Sequence, residues 1–139
     1  PRGWGIQGRM QYAILIHIDE QSWDSLPESE RQRVKADTDV LAEDLIRSGT
    51  LKGAAILQGA YTGRTLSRKR GEFVLTDGPF AETKEVLAGF QLVECDTIEE
   101  ATAIAKRFPG LQHGFRLEIR PVGDNCAMLR TAAGAARRN

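Results

Sequence analysis

Gln11-Tyr12-Ala13-Ile14-Leu15-Ile16-His17-Ile18-Asp19 is the stretch on which the fold turns. Alternation puts Tyr12, Ile14, Ile16 and Ile18 on one side of a strand, and Ala13, Leu15 and His17 on the other. Both sides are largely apolar, so this strand belongs in the middle of a sheet with cover on both faces.

The segments that follow supply its neighbours. Ser25-Leu26-Pro27-Glu28 has the Ser-x-x-Glu spacing of a capping box with proline in the first turn, and predicts a helix to about Arg47. Val34, Thr38, Leu41 and Leu45 form its apolar stripe, and Gly49 is placed to end it. Residues 51–58 read as a short apolar strand. Residues 61–66 and 71–76 read as a hairpin around basic Arg68-Lys69-Arg70, taken as an exposed turn. Asp77-Gly78-Pro79 has turn chemistry. Residues 87–95 form another strand, and Gly89 inside it marks a bulge or a close approach by another group. Thr97-Ile98-Glu99-Glu100 is a second capping box, opening a helix with Ile98, Ala101, Ala105 and Phe108 on one face. Pro109-Gly110 stops that helix. In the last strand, 113–122, Phe115, Leu117 and Ile119 alternate with Arg116, Glu118 and Arg120.

Strand, helix, strand, hairpin, strand, helix, strand is the split β-α-β pattern of an α+β, ferredoxin-like fold with an inserted hairpin. Two helices cover one sheet face and leave the other open. An open face carrying Leu15 is an apolar patch that calls for a partner, and a homodimer built sheet to sheet about a two-fold axis is the simplest cover.

The bulk numbers agree with one soluble domain. The chain has 139 residues, 41% hydrophobic and 27% charged. A chain of that length buries roughly 70% of its unfolded surface, so neither metal nor disulfide is needed for folding. Lys and Arg balance Asp and Glu, 19 against 19, which argues against a nucleic-acid partner. The balance is uneven: residues 10–122 carry 14 bases and 18 acids, while the ends carry five bases and one acid. Residues 1–9, with three glycines and a proline before Met10, read as a disordered N-terminal extension or as residues foreign to the native chain, 10–122 as the domain, and 123–139 as a flexible basic tail. The longest apolar run, Ala13-Ile14-Leu15-Ile16, is far short of the ~20 residues that span a bilayer, which excludes a membrane helix. Cys95 and Cys126 read as free thiols of a reducing cytoplasm. No Cys-x-x-Cys or His-x-x-x-His spacing points to a metal, and no Gly-x-Gly-x-x-Gly or Walker loop points to a nucleotide cofactor.

Residues 76–95 carry a more specific pattern. Asp77-Gly78-Pro79-Phe80 followed by Ala81-Glu82-Thr83-Lys84-Glu85 resembles the motif of the DGPF-domain proteins, a branch of the YciI-related (YCII) family. Tyr12-Ala13-Ile14-Leu15-Ile16 and Glu118-Ile119-Arg120-Pro121-Val122 extend the resemblance over about residues 10–122. The resemblance implies a subunit that pairs as a dimeric α/β barrel, and a setting beside sigma factors of the extracytoplasmic-function class. It implies no established activity. Smaller YciI-like relatives carry a His-Asp pair proposed as catalytic, with the histidine on the first helix; the matching position here is about Thr38, which cannot act as an imidazole base.

Three groups of residues are chemically competent. Asp77, Glu82, Lys84 and Glu85 put acid, base and cation on one proline-held loop, with Asp77 or Glu85 as a base and Lys84 as an anion contact. The architectural alternative makes Asp77 a turn residue bonded to backbone amides and Phe80 a core plug. His17 faces the open side of the sheet, where a dimer cavity would lie, and the last strand brings Arg116 or Glu118 beside it. Asp37, Asp39, Glu43 and Asp44 read as a solvated helix face. His113 reads as structural, and Cys95 has no nameable base. The expectation is a cytoplasmic, cofactor-free dimer with a polar cavity for a small molecule. Its catalytic candidates are His17, Asp77 and Lys84, for lyase- or isomerase-like proton transfer, and its ligand contacts are Glu85, Arg116 and Glu118. The alternative is a non-catalytic binding or regulatory module with a sigma-factor-type partner.

Overall fold

In the computed structural model, which describes residues 10–123, the strand around Ile14 is β1 (Met10–Ile18). It is hydrogen-bonded on both sides, as its two apolar faces require. Then come α1 (Glu20–Asp24), α2 (Glu28–Arg47), β2 (Leu51–Ile56), β3 (Arg64–Lys69), β4 (Glu72–Asp77), β5 (Val86–Cys95), α3 (Ile98–Ala105) and β6 (Arg116–Pro121). The extension 1–9 and the tail with Cys126 lie outside the described residues.

The main sheet has the order β2-β5-β1-β6, every pair antiparallel, while β3 and β4 form a separate two-stranded sheet. This mixed α+β arrangement is compatible with the ferredoxin-like pattern. Tyr12 and Ile14 point to one side, opposite Val93 and Ile119 of the flanking strands. They bury themselves with Leu41 and Leu45 of α2, Ala101 and Ala105 of α3, and Phe108. Among the described residues no helix is long and apolar enough to cross a membrane.

Local chemistry corrects several expected boundaries. Ser25 does not cap α2: its Oγ donates to the Ser22 carbonyl, and Ser25 ends an extra short helix, α1. That helix was not anticipated because its start is Asp19, at the end of the strand motif, whose carboxylate accepts from the amides of Gln21 and Ser22. Pro27 takes the N-cap place of α2 with no side-chain cap. The second capping box forms in a shifted version: Thr97 Oγ1 accepts from the Glu100 amide at 3.1 Å, and the Glu100 carboxylate accepts in return from the Asp96 amide, one residue before the cap, at 2.8 Å. The helix it opens stops at Ala105, and Phe108 is buried from the loop beyond. The hairpin sits later than its pattern suggested, at 64–77. Its turn is Arg70-Gly71, both in the left-handed region, and Arg68 and Lys69 lie on the strand. His113 closes a 3-10 turn, Pro109–His113, and lies before the last strand instead of opening it.

Gly89 shows both expected features. The β1–β5 register shifts beside it, between Ile16 and His17, so that Ala88 is extra. A Cβ on Gly89 would also lie 2.7 Å from the Ala55 carbonyl oxygen of β2.

Candidate functional site

The helices cover one sheet face and the other bears Ala13, Leu15 and His17. Its register neighbours are Leu92, Phe90 and Leu87 on β5, and Arg120, Glu118 and Arg116 on β6. The β5 side of the face is apolar and the β6 side is charged, because β6 alternates Arg-Leu-Glu-Ile-Arg and sends its charged members this way. The face also changes along β1, from alanine and leucine to histidine at the end where α1 begins.

At that end the side chains meet. His17 Nε2 lies 3.3 Å from Glu118 Oε1, a diagonal contact across adjacent strands. Arg120 Nε stands 4.0 Å from the other oxygen of Glu118. Directly opposite His17, Arg116 donates from Nε to Glu85 Oε1 at 3.0 Å. The contact pairs one ring nitrogen with the Glu118 carboxylate; in the tautomer that carries its proton on Nε2, the lone pair on Nδ1 is the group that could accept a proton from a bound molecule. Arg116 and Glu118 are exposed and Glu85 is half-buried, so the cluster is open to solvent in a single chain.

Four of the six sequence-predicted site residues, His17, Glu85, Arg116 and Glu118, thus share one end of the open face. Lys84 stands beside them in a shallow cleft of about 390 Å³, with Asp19, Glu20, Gln21, Thr83 and Val86. Asp19 is held below the usual carboxylate range, first by the Ser22 hydroxyl at 3.0 Å, then by the amides of Ser22 and Gln21, with help from the Lys84 ammonium. Asp77 is placed differently. It ends β4, its side chain 94% exposed and 3.7 Å from Arg64 on the paired strand. The expected Asp77 turn is instead closed by the Gly78 amide on the Gly63 carbonyl and by Thr65 Oγ1 on the Gly78 carbonyl. Phe80 is not a core plug but 90% exposed. Thr38 donates to the Val34 carbonyl at 2.7 Å, a helix-internal bond that leaves it no role as a base.

Cys95 is buried and donates to the Thr97 carbonyl, a structural placement. Among the described residues no group of three His, Cys, Asp or Glu side chains is arranged to hold a metal ion. The sequence reading missed the Trp23–Phe115 ring contact, edge to face at 5.4 Å, which ties α1 to the start of β6 and so holds together the two segments flanking the cluster. Its only sequence signal was a large aromatic just after the strand motif.

A family model described as the YCII-related domain matches residues 10–123. The chain belongs to the YCII-related family. A further relative is an uncharacterized protein of Rhizobium meliloti (strain 1021), 36% identical over 97 residues that cover 70% of this chain and 78% of that protein. The family match spans both the open face and the Asp77–Glu85 loop of this YCII-related protein.

Proposed function

We infer that this YCII-related protein works as a homodimer paired through its open sheet faces in a dimeric α/β barrel. The polar end of that face binds a small molecule and moves a proton on it without a cofactor. The observation that carries this reading is the His17–Glu118 contact on the uncovered side of a central strand. A buried ladder has no need of an imidazole there, and the carboxylate orients the ring and stabilises the imidazolium that proton abstraction forms. Arg116, held by Glu85, and Lys84 at the neighbouring cleft supply positive charge for an oxyanion developing on the substrate. Asp77, turned to Arg64, is assigned no step in the transfer.

The test needs no knowledge of the product. A panel of small keto acids, lactones and other carbonyl-activated carbon acids is incubated in D2O, and solvent deuterium is followed by NMR. Wild type is expected to exchange at least one member faster than buffer, and His17→Ala to lose that exchange while keeping its oligomeric state. Equal exchange by both proteins overturns the assignment.

A second reading is favoured by Thr38. By the family resemblance, the histidine on the first helix of the smaller relatives falls at about Thr38, whose hydroxyl is spent on its own helix. On that reading the protein is a binding or regulatory module, with a sigma-factor-type partner among the candidates. Ligand-induced shifts at His17 and Arg116 with no exchange in any panel member would select it.

A further inference from the structure

The hairpin β3–β4 has the composition of an interface, and among the described residues its apolar face stays exposed, with the Arg68 guanidinium 5.2 Å from the centre of the Phe73 ring. Leu66 opposes Leu75, and Arg68 opposes Phe73, so one face of the hairpin carries Leu66, Phe73 and Leu75, while Val74 lies on the other, opposite Ser67. Leu66 is 63%, Phe73 71% and Leu75 56% exposed, and Tyr61 and Phe80 at its foot are more exposed still. An isolated two-stranded hairpin is marginal in water, and an apolar stripe of this size on one marks a docking surface.

The position of the hairpin suggests what covers it. It leaves the sheet after Ile56 of β2 and returns at Val86 of β5, the same sheet end that holds His17 and Arg116. Six residues per strand make an arm of about 20 Å, long enough to cross a neighbouring sheet four strands wide. Charge agrees. The arm, 64–77, has four bases and two acids, whereas the rest of the domain to residue 122 has ten bases and sixteen acids. A basic, apolar arm thus complements the acidic body of another copy of the same chain. Area agrees as well. The open face spans about 20 by 20 Å in projection, about half of the ~800 Å² per partner of a stable interface, and the arm extends that area.

We propose that β3–β4 is an exchange arm: in the dimer each copy lays the Leu66–Phe73–Leu75 face against the second copy, beside the end of the open sheet that carries His17. This rests on the face-to-face pairing inferred above and adds that each polar cluster is walled by the partner's arm. It accounts for apolar side chains that the fold exposes and for the family motif at the arm's foot, where Gly78 and Thr65 fasten the returning strand.

Sedimentation equilibrium on the full chain decides it, with three proteins compared. The triple variant Leu66→Asn/Phe73→Asn/Leu75→Asn alters only exposed side chains. It is expected to keep the wild-type circular dichroism and to weaken the dimer roughly 30-fold or more. Phe90→Glu, in the open face, is expected to weaken it as well. A dimer that Phe90→Glu breaks and the arm variant leaves unchanged overturns the arm and preserves the face-to-face pairing. A wild-type monomer at 10–100 times the usual micromolar range, on the order of 100 μM, overturns both. Hydrogen exchange on the unmodified protein covers the case of a misfolded variant: arm amides 64–77 should lose protection on dilution through the dissociation midpoint, and protection independent of concentration refutes the arm.

Discussion

Replacing Gly89 by alanine is a sharp test of how β2 packs beside β5. A Cβ there would sit 2.7 Å from the Ala55 carbonyl oxygen and 3.4 Å from the Ile56 Cα, both backbone of the edge strand β2. Ordinary contact needs about 3.4 Å, so β2 must retreat by about 0.7 Å. The neighbouring bond from the Leu57 amide to the Ala88 carbonyl is 2.8 Å, and the same retreat takes it to the limit of a useful hydrogen bond. Losing one or two ladder bonds costs about 1 kcal/mol each, plus overpacking strain of about 1 kcal/mol. Alanine returns about 0.4–1 kcal/mol by restricting the unfolded chain. The net expectation is a loss of about 1–2 kcal/mol in urea unfolding, with an unchanged m-value. Gly53 on the same edge strand is the control: a Cβ there meets nothing nearer than Leu92 Cβ at 4.0 Å, so Gly53→Ala should be neutral or slightly stabilising. Gly89→Ala at wild-type stability, or Gly53→Ala equally damaging, would refute the close-approach argument.

Other consequences follow from single contacts. Gln91 is buried opposite Ile14, and its Oε1 has no hydrogen-bond partner among the described residues. Gln91→Met, nearly the same shape, should raise stability by about 1 kcal/mol in urea melts; a loss of that size would mean the amide is satisfied. Asp44 is held below the usual carboxylate range by the Arg107 guanidinium, 2.6 Å away. Its contribution is present above about pH 4 and is lost as the pH falls through the depressed value, so Arg107→Gln should flatten the acid limb of a stability–pH curve. An acid limb identical to wild type would remove the pair from the account. Tyr12 is pushed above its ordinary value by burial and then by Cys95, Glu99 and neighbouring acids. Folding holds it neutral, so stability should decline as the pH rises above about 10, and Tyr12→Phe should lessen that decline in thermal melts.

The fold was legible where one periodicity dominated. Tyr12, Ile14 and Ile18 alternate cleanly and are buried, and Leu41 and Leu45 recur at helical spacing and pack on them. Boundaries failed where two local signals competed. Ser25 fitted a capping box, but Asp19 captured the preceding residues into a helix of their own, and Ser25 became its end. Part of the cluster was legible for the same reason as the fold: strand parity put His17, Arg116 and Glu118 on one face, and the split β-α-β order made β1 and β6 neighbours. The placements of Asp77 and Phe80 were not legible, because a Gly-Pro turn says where the chain bends and nothing about which way the bend faces. Only tertiary placement sends Asp77 to Arg64 and leaves Phe80 outside.

The central claim is that the face bearing His17 is closed by a second copy. Isotope-filtered NOE spectroscopy on a mixed sample of labelled and unlabelled protein tests it without mutation. The account predicts intermolecular contacts from Leu15, Leu87, Phe90 and Leu92, with the His17 ring at the margin of the contacted surface. Intermolecular contacts confined to the outer face of α2 at Val40 and Ile46, or none from the open sheet at concentrations where the protein is dimeric, would contradict it.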